Sequence, residues 1–259
     1  MNDHTASGHG MSDHAVADHK AADHTALVVG GTSGIGLSTA RRLHALGAVV
    51  HIAGRGKERL DSVAVSDPEL HGHRADGGNR ADIAAVAETI GTIDWLIITL
   101  SGSEGAGPIA DLDLGMLRRA FDAKFWGHIT TIQAVLPRLA PTGSISLLGA
   151  ITARTGMPGT AGIAAINGAV EALVQPLAAE LAPIRVNGVS PGFVDTPWWS
   201  GLPEDARSAY FGHAASVLPT RRIASADDIA DVVVLTATNP NLSGTIIEAD
   251  GGARLVSMA

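Results

Sequence analysis

From Thr25 onward the chain alternates short apolar runs with amphipathic stretches, and this alternation constrains its fold more than any other feature. "TALVVG" gives way to "GIGLSTARRLHALG", "AVVHIAG" to "KERLDSVAVS", and "ELHGHRA" to "RADIAAVAETIG". "DWLIITL" then leads through a glycine-rich loop into the long helical pattern "DLGMLRRAFDAKFWGHITTIQAVLPRL". "SISLLGA", the helical "GTAGIAAINGAVEALVQ", "IRVNGVS" and "GTIIEADGG" complete the series. Strands apolar on both faces need helices above and below them, which the intervening segments supply. The pattern therefore predicts an α/β fold: one doubly wound parallel sheet of about seven strands with helices on both faces. No Pro/Gly/Ser-rich linker divides residues 25–259, which read as one domain.

The first 24 residues break the pattern. His4, His9, His14, His19 and His24 recur every five residues, four of them after an aspartate. Five residues turn an α-helix through about 140° beyond a full turn, so these histidines would share no face. The segment reads as a disordered, low-complexity tail, with weak divalent-metal binding through imidazole and carboxylate as the alternative. Met11 is a second candidate start. No metal site is predicted in the rest of the chain.

Composition narrows the classes. Hydrophobic residues are 46% against 17% charged, as in a core-forming protein. With no cysteine there are no disulfides and no thiolate metal sites, which suits a reducing cytoplasm. The net charge of −8 argues against nucleic acid and anionic membranes as partners. The chain shows no uninterrupted apolar run of the roughly 18 residues that span a bilayer, and its start lacks a signal-peptide pattern. A soluble cytoplasmic protein acting on a small molecule is expected.

"VVGGTSGIG", Val28 to Gly36, follows a strand and opens a helix. Small residues there let the backbone approach a pyrophosphate, and the helix start supplies free N–H groups. Gly30-x-x-x-Gly34-Ile35-Gly36 resembles the TGxxxGIG signature of the short-chain dehydrogenase/reductase family, with Val29 where threonine is usual. "IDWL", "LAAELAPIRVNGVSPGFVDTP" and "DDIADVVVLTATNPNLSGTIIEADGG" match further landmarks of that family in the correct order.

The resemblance implies a Rossmann-type fold and a nicotinamide cofactor held by Gly30, Thr32, Ser33, Gly34, Ile35 and Gly36. Gly54 stands where an acidic residue would bind the ribose diol of NAD, and Arg55 follows it. A guanidinium there suits a 2′-phosphate, which favours NADP(H) over NAD(H); a solvated surface arginine is the alternative. Asp76 matches the aspartate that binds the adenine amino group, and Pro191, Gly192, Val194 and Thr196 match the nicotinamide segment.

Ketone reduction leaves an alkoxide that needs a proton donor. The family supplies it with a Tyr-x-x-x-Lys pair and a serine. Aligned on "GSISLLGA" and "NGAVEALVQPLAAEL", those positions fall on Ile163, Asn167 and Ala150. Tyr210 is the one tyrosine, and no Tyr-x-x-x-Lys exists in the chain. The family's asparagine in the preceding long helix is here Lys124, so asparagine and lysine have exchanged places. Lys124 is read as restoring a cation beside the nicotinamide ribose, and Asn167 as bonding a ribose hydroxyl. The plainer reading of Lys124 is a helix-surface lysine paired with a carboxylate such as Asp122.

Glu104, Thr152, Arg154 and Thr155 are candidate substrate contacts, each with a structural alternative. Trp198 and Trp199 begin the segment where the family's substrate lid starts, and could stack on a flat or cationic substrate or pack the lid down. Tyr210 and His213 lie further along it.

Three readings follow. The first is an atypical NADP(H)-dependent oxidoreductase, an imine or iminium reductase being one form, since its product needs no alkoxide proton. The second is a non-redox cyclase, isomerase or lyase on the same scaffold. The third is a catalytically silent nucleotide-binding member. The apolar long helix and catalytic helix are also expected to pair between subunits, as a homodimer or homotetramer.

Overall fold

The computed structural model describes residues 21–102 and 104–256. Seven parallel strands form the main sheet. They are β1 (Thr25–Val29), β2 (Val49–Gly54), β3 (His71–Arg74), β4 (Ile93–Ile98), β5 (Leu139–Leu148), β6 (Arg185–Pro191) and, at the far edge, Ile246–Ala249. Val194–Asp195 (β7) and Ala224–Ser225 (β8) make a separate two-stranded ribbon, so the far-edge strand is β9. The main order is β3-β2-β1-β4-β5-β6-β9, which reverses direction between β1 and β4. Val29 pairs with Ala53 on one side and Ile98 on the other, and the crevice beyond these strand ends is where such sheets bind ligands.

Strand alternation splits β1 between two cores. Leu27 and Val29 face Ile83, Val86 and Ala87 of α3 (Arg80–Ile90), together with Ile132 and Val170 from later helices. Val28 faces the other way, toward Leu43 of α1 (Gly34–Ala45) and Val63 of α2 (Lys57–Ser66). Each buried Leu, Ile or Val contributes about 1.5–3 kcal/mol relative to exposure, so this double burial is what fixes the sheet.

The long helix predicted after β4 is present and helical throughout, with one change of pitch. It runs as α4 (Leu114–Phe121), a π-helical turn (Asp122–Trp126) and α5 (Gly127–Val135). A π-turn widens the helix by one residue and is common at functional sites. The following helix divides at Leu173 into α6 (Ala161–Ala172) and α7 (Val174–Glu180). The remaining helices are α8 (Glu204–Val217) and α9 (Ala226–Thr238), the latter closed by a Ser225/Asp228 capping box.

The expectation of no unbroken apolar run holds, while one boundary moves. Residues Ala161–Glu180 do form a stretch long and apolar enough to span a bilayer by composition, with mean hydropathy 1.3. Asn167 and Glu171 hide it from a search for unbroken apolar runs, and here it is the layer that buries Val170 and Val174 against the sheet. It is the tail boundary that moves. Ala21–Asp23 form a turn with Ala21 buried, and His24 stacks on Trp95 at 4.7 Å, so packed structure begins before residue 25. Residues 1–20, with His4, His9, His14 and His19, lie outside the described residues.

Candidate functional site

At the C-terminal end of β1 the chain turns on glycines with no room for side chains. Gly30 has φ +91° and Gly34 φ +53°, in the left-handed region that other residues avoid. A Cβ on Gly36 would lie 2.4 Å from the Gly30 carbonyl, and one on Gly30 would lie 2.7 Å from Thr99 Oγ1. Ser33 caps α1 in an extended conformation without a side-chain cap bond, which leaves the first-turn N–H groups to meet an anion. Ile35 anchors the turn against the α1-side core.

The neighbouring strand end is equally tight. A Cβ at Gly54 would come 2.6 Å from the Thr32 methyl, so an acidic side chain has no space there. Arg55 beyond it is exposed and makes no ion pair among the described residues. Asp76 follows β3 and accepts a bond from the Gly78 amide at 2.9 Å. From the other side of the crevice, Thr196 and Pro197 pack against Gly34, where a Cβ would lie 3.3 Å from Thr196 Cβ. Pro191 ends β6, Gly192 lies tight against the Asp250 backbone, and Val194 is buried in β7.

The second half of the site sits on the π-turn and α6. Lys124 is only 8% exposed, and its Nζ donates to the Gly149 carbonyl at 3.2 Å. It forms no ion pair with Asp122, so the surface-lysine reading is overturned. Burial pulls its pKa down to about 8, against an upward pull from Glu171. His128 Nδ1 donates to the Lys124 carbonyl at 2.7 Å, and burial, with the lysine charge added, holds its pKa down to about 3. Asn167 Nδ2 donates to Thr152 Oγ1 at 2.9 Å and to the Ile163 carbonyl at 3.0 Å. Asn167 Oδ1 is buried without a partner among the described residues, an acceptor waiting for a donor.

Several candidate substrate contacts are occupied otherwise. Glu104 is held at the surface by the Arg119 fork, at 3.2 and 3.0 Å. Arg154 is taken by Glu171 and Glu248, while Thr155 Oγ1 is buried without a partner among the described residues. Trp198 is partly exposed and donates from Nε1 to the Gly102 carbonyl at 2.9 Å, bridging the lid to the loop after β4. Trp199 bonds the Val194 carbonyl and packs on Tyr210 and Phe211, which is lid packing. Tyr210 lies edge-on to Phe193 with its pKa raised by burial, and His213 is exposed.

Sequence reasoning missed the Arg154–Glu171 pair, because those residues are 17 apart and meet only through the fold. It also missed His51, His71 and His73, which share a sheet face with His51 Nδ1 2.9 Å from His73 Nε2. Their alternate spacing in "VHIAG" and "HGHRA" was a readable signal.

A family model described as enoyl-(acyl carrier protein) reductase matches residues 29–254. The chain belongs to the short-chain dehydrogenase/reductase family. Its relatives there include cis-4-hydroxycyclohexanecarboxylate dehydrogenase of Sinomonas cyclohexanicum, 31% identical over 88% of this chain and 95% of that protein. The 3-oxoacyl-(acyl-carrier-protein) reductase of Thermotoga maritima is also 31% identical, over 87% and 96%. Among solved structures, a small-chain dehydrogenase in complex with NADPH is 34% identical, with a TM-score of 0.79 over 90% of this chain and 99% of that one. Membership of this dehydrogenase/reductase family accounts for both the strand order and the glycine turn.

Proposed function

We propose that this chain is an NADP(H)-dependent oxidoreductase of small organic substrates whose site works without the tyrosine proton donor usual in its family. The carrying observation is the exchange read at two buried positions, a lysine at 124 and an asparagine at 167. The residues present fit a dinucleotide. Gly30, Gly34 and Gly36 leave a bare backbone cradle, Ser33 and the α1 start face it, and Asn167 Oδ1 offers an unused acceptor for a ribose hydroxyl. Arg55, Asp76 and Thr32 belong to the adenosine end, and Pro191, Gly192, Val194 and Thr196 to the nicotinamide end. The absence of space at Gly54, together with the exposed Arg55, supports NADP(H) over NAD(H).

The bound cofactor supplies hydride. Ile163 and Ala150, at the positions aligned with the family's tyrosine and serine, can neither donate a proton nor orient a carbonyl. An iminium carbon accepts hydride to give a neutral amine, so charge balances without a donor acid. The partly exposed indole of Trp198 suits such a cation. Lys124 contributes positive charge from the π-turn, and Asn167, steadied by Thr152, fixes the ribose. A single domain, a cytoplasmic location and a homodimer or homotetramer complete the proposal. The apolar surface left by Leu114, Trp126 and the exposed alanines of α6 supports the oligomer.

Fluorescence titration with NADPH and NADH tests the reading directly, with tighter NADPH binding expected. Absence of binding to both would sink it and leave the non-redox or silent readings. Stereospecific transfer of deuterium from labelled NADPH to an iminium substrate distinguishes redox chemistry from a silent scaffold.

A further inference from the structure

The ion chain behind α6 has no part in the reading above, and it ends beside Lys124. Glu171 lies one helical turn beyond Asn167 and is 8% exposed. Its Oε2 receives both Arg154 Nε, at 3.0 Å, and Arg154 Nη2, at 2.8 Å. The remaining donor of Arg154 reaches Glu248 on β9, whose other oxygen is bound by Arg254 at 2.6 Å. Arg254 closes the chain on Asp250 at 3.0 Å. Two arginines and three carboxylates thus alternate from the catalytic helix to the C-terminal turn.

The free end of this chain is Glu171 Oε1, buried and without a hydrogen-bond partner among the described residues. It faces Gly149, where a Cβ would lie 3.0 Å from Oε1 and 3.1 Å from Cγ of Glu171. The carbonyl of that same Gly149 accepts the Lys124 ammonium. One peptide unit therefore separates a fixed carboxylate from a buried cation, and the glycine is what allows the approach.

Resting on the reading of Lys124 as a site residue, we propose that Glu171, held in place by Arg154, is a positioning residue that keeps the Lys124 ammonium charged across the Gly149 peptide. Without a counter-charge, burial would drive this lysine to its neutral form at physiological pH. Glu171 opposes that shift, which leaves the pKa at about 8. The other charged groups around the π-turn do not take this role. His128 on α5 is held neutral, while Arg118 and Arg119 on α4 lie at the surface, the latter bound to Glu104. Asp122, on the π-turn itself, is exposed and forms no ion pair with Lys124. Arg154 limits the strength of the effect, because it draws the Glu171 charge toward itself through two bonds on Oε2.

The composition makes a direct measurement simple, since the full chain has three lysines, Lys20, Lys57 and Lys124. Protein labelled with carbon-13 at lysine Cε gives three signals, and the one missing from Lys124→Met belongs to the buried residue. Its titration midpoint is expected near 8 in the parent protein. Glu171→Gln removes the negative charge, eases deprotonation and lowers the midpoint, raising the acid dissociation constant roughly tenfold. Arg154→Met releases the Glu171 charge toward the lysine and raises the midpoint. A purely structural pair would not shift one signal in opposite directions. An unmoved or rising midpoint in Glu171→Gln overturns the proposal. Should that variant fail to fold, an unmoved or falling midpoint in Arg154→Met does so.

NADPH affinity measured across the same pH range separates this inference from the reading on which it rests. If the midpoints move as expected but NADPH affinity ignores them, the Glu171 role stands and Lys124 is not a cofactor residue. If affinity follows the Lys124 titration and Glu171→Gln leaves both unmoved, the Glu171 role falls and the cofactor reading stands.

Discussion

The two ends of the crevice are built by opposite means. At the β1 end the proposed cofactor site is made of backbone amides and empty space, with Gly30, Gly34 and Gly36 placed where any Cβ would collide or strain the chain. At the α6 end the proposed site is made of side chains: Lys124, Asn167 and, behind them, Glu171 and Arg154. A backbone site tolerates few changes, because each glycine is required by sterics. A side-chain site can be rebuilt by exchanging residues of suitable reach and charge. That contrast explains how the glycine signature persists in a chain without a Tyr-x-x-x-Lys sequence.

The sharpest way to break the contrast is Gly36→Val. With 2.4 Å to the Gly30 carbonyl, the added side chain must distort the turn, and NADPH binding should weaken by roughly 100-fold or more while stability falls by about 1–3 kcal/mol. Titration and thermal melting measure both. Lys124→Met tests the other end. Turnover should drop by about 100-fold, with little loss of melting temperature, because an apolar side chain replaces a buried charge. A full retention of activity would make the α6 end structural too.

Smaller effects refine the picture. Arg55→Ala should weaken NADPH binding roughly tenfold and leave NADH binding unchanged. His128 supplies a pH test of the buried side-chain end. Its folded pKa is held near 3, below the usual value of 6.5, so the folded state prefers the neutral ring. The associated stability is complete above pH 6.5 and is lost as pH falls from there toward 3. At pH 5.5 the loss is about 1.4 kcal/mol, visible as a falling melting temperature that His128→Asn flattens. Trp198→Phe removes the indole bond to Gly102 at a cost of about 1 kcal/mol, which hydrogen exchange of the loop after β4 would register.

The sequence made some of this legible and hid the rest for identifiable reasons. Strand and helix periodicity is local, so all seven strands of the main sheet and their parallel character could be read from it. The π-turn could not, because the phase shift of about 100° made by one inserted residue is blurred where buried residues such as Gly127, His128, Thr131 and Ala134 already spread over a broad arc of the helix. The boundary of the His-rich segment was drawn by composition, whereas Ala21 and His24 are ordered by contacts made elsewhere, with Trp95 among them. Lys124 and Asn167 were visible as departures from a known motif. Their neighbours Glu171 and Arg154 were not, since ion pairs between distant segments have no sequence period. The short Ala224–Ser225 ribbon under the lid was missed for the same reason.

The contact between Gly54 and Thr32 carries a consequence for how this protein's cofactor choice can change over time. Thr32 lies in the turn after β1 and Gly54 at the end of β2, yet the Thr32 methyl fills the volume that a side chain at 54 would need. A carboxylate at 54 therefore becomes accessible only after position 32 has shrunk to serine, alanine or glycine. Either order of substitution passes through a disadvantageous form: aspartate first meets a steric clash, and a smaller residue first opens a gap beside the turn. Residues 32 and 54 thus form one mutational unit, a two-step lock that a single nucleotide change does not open.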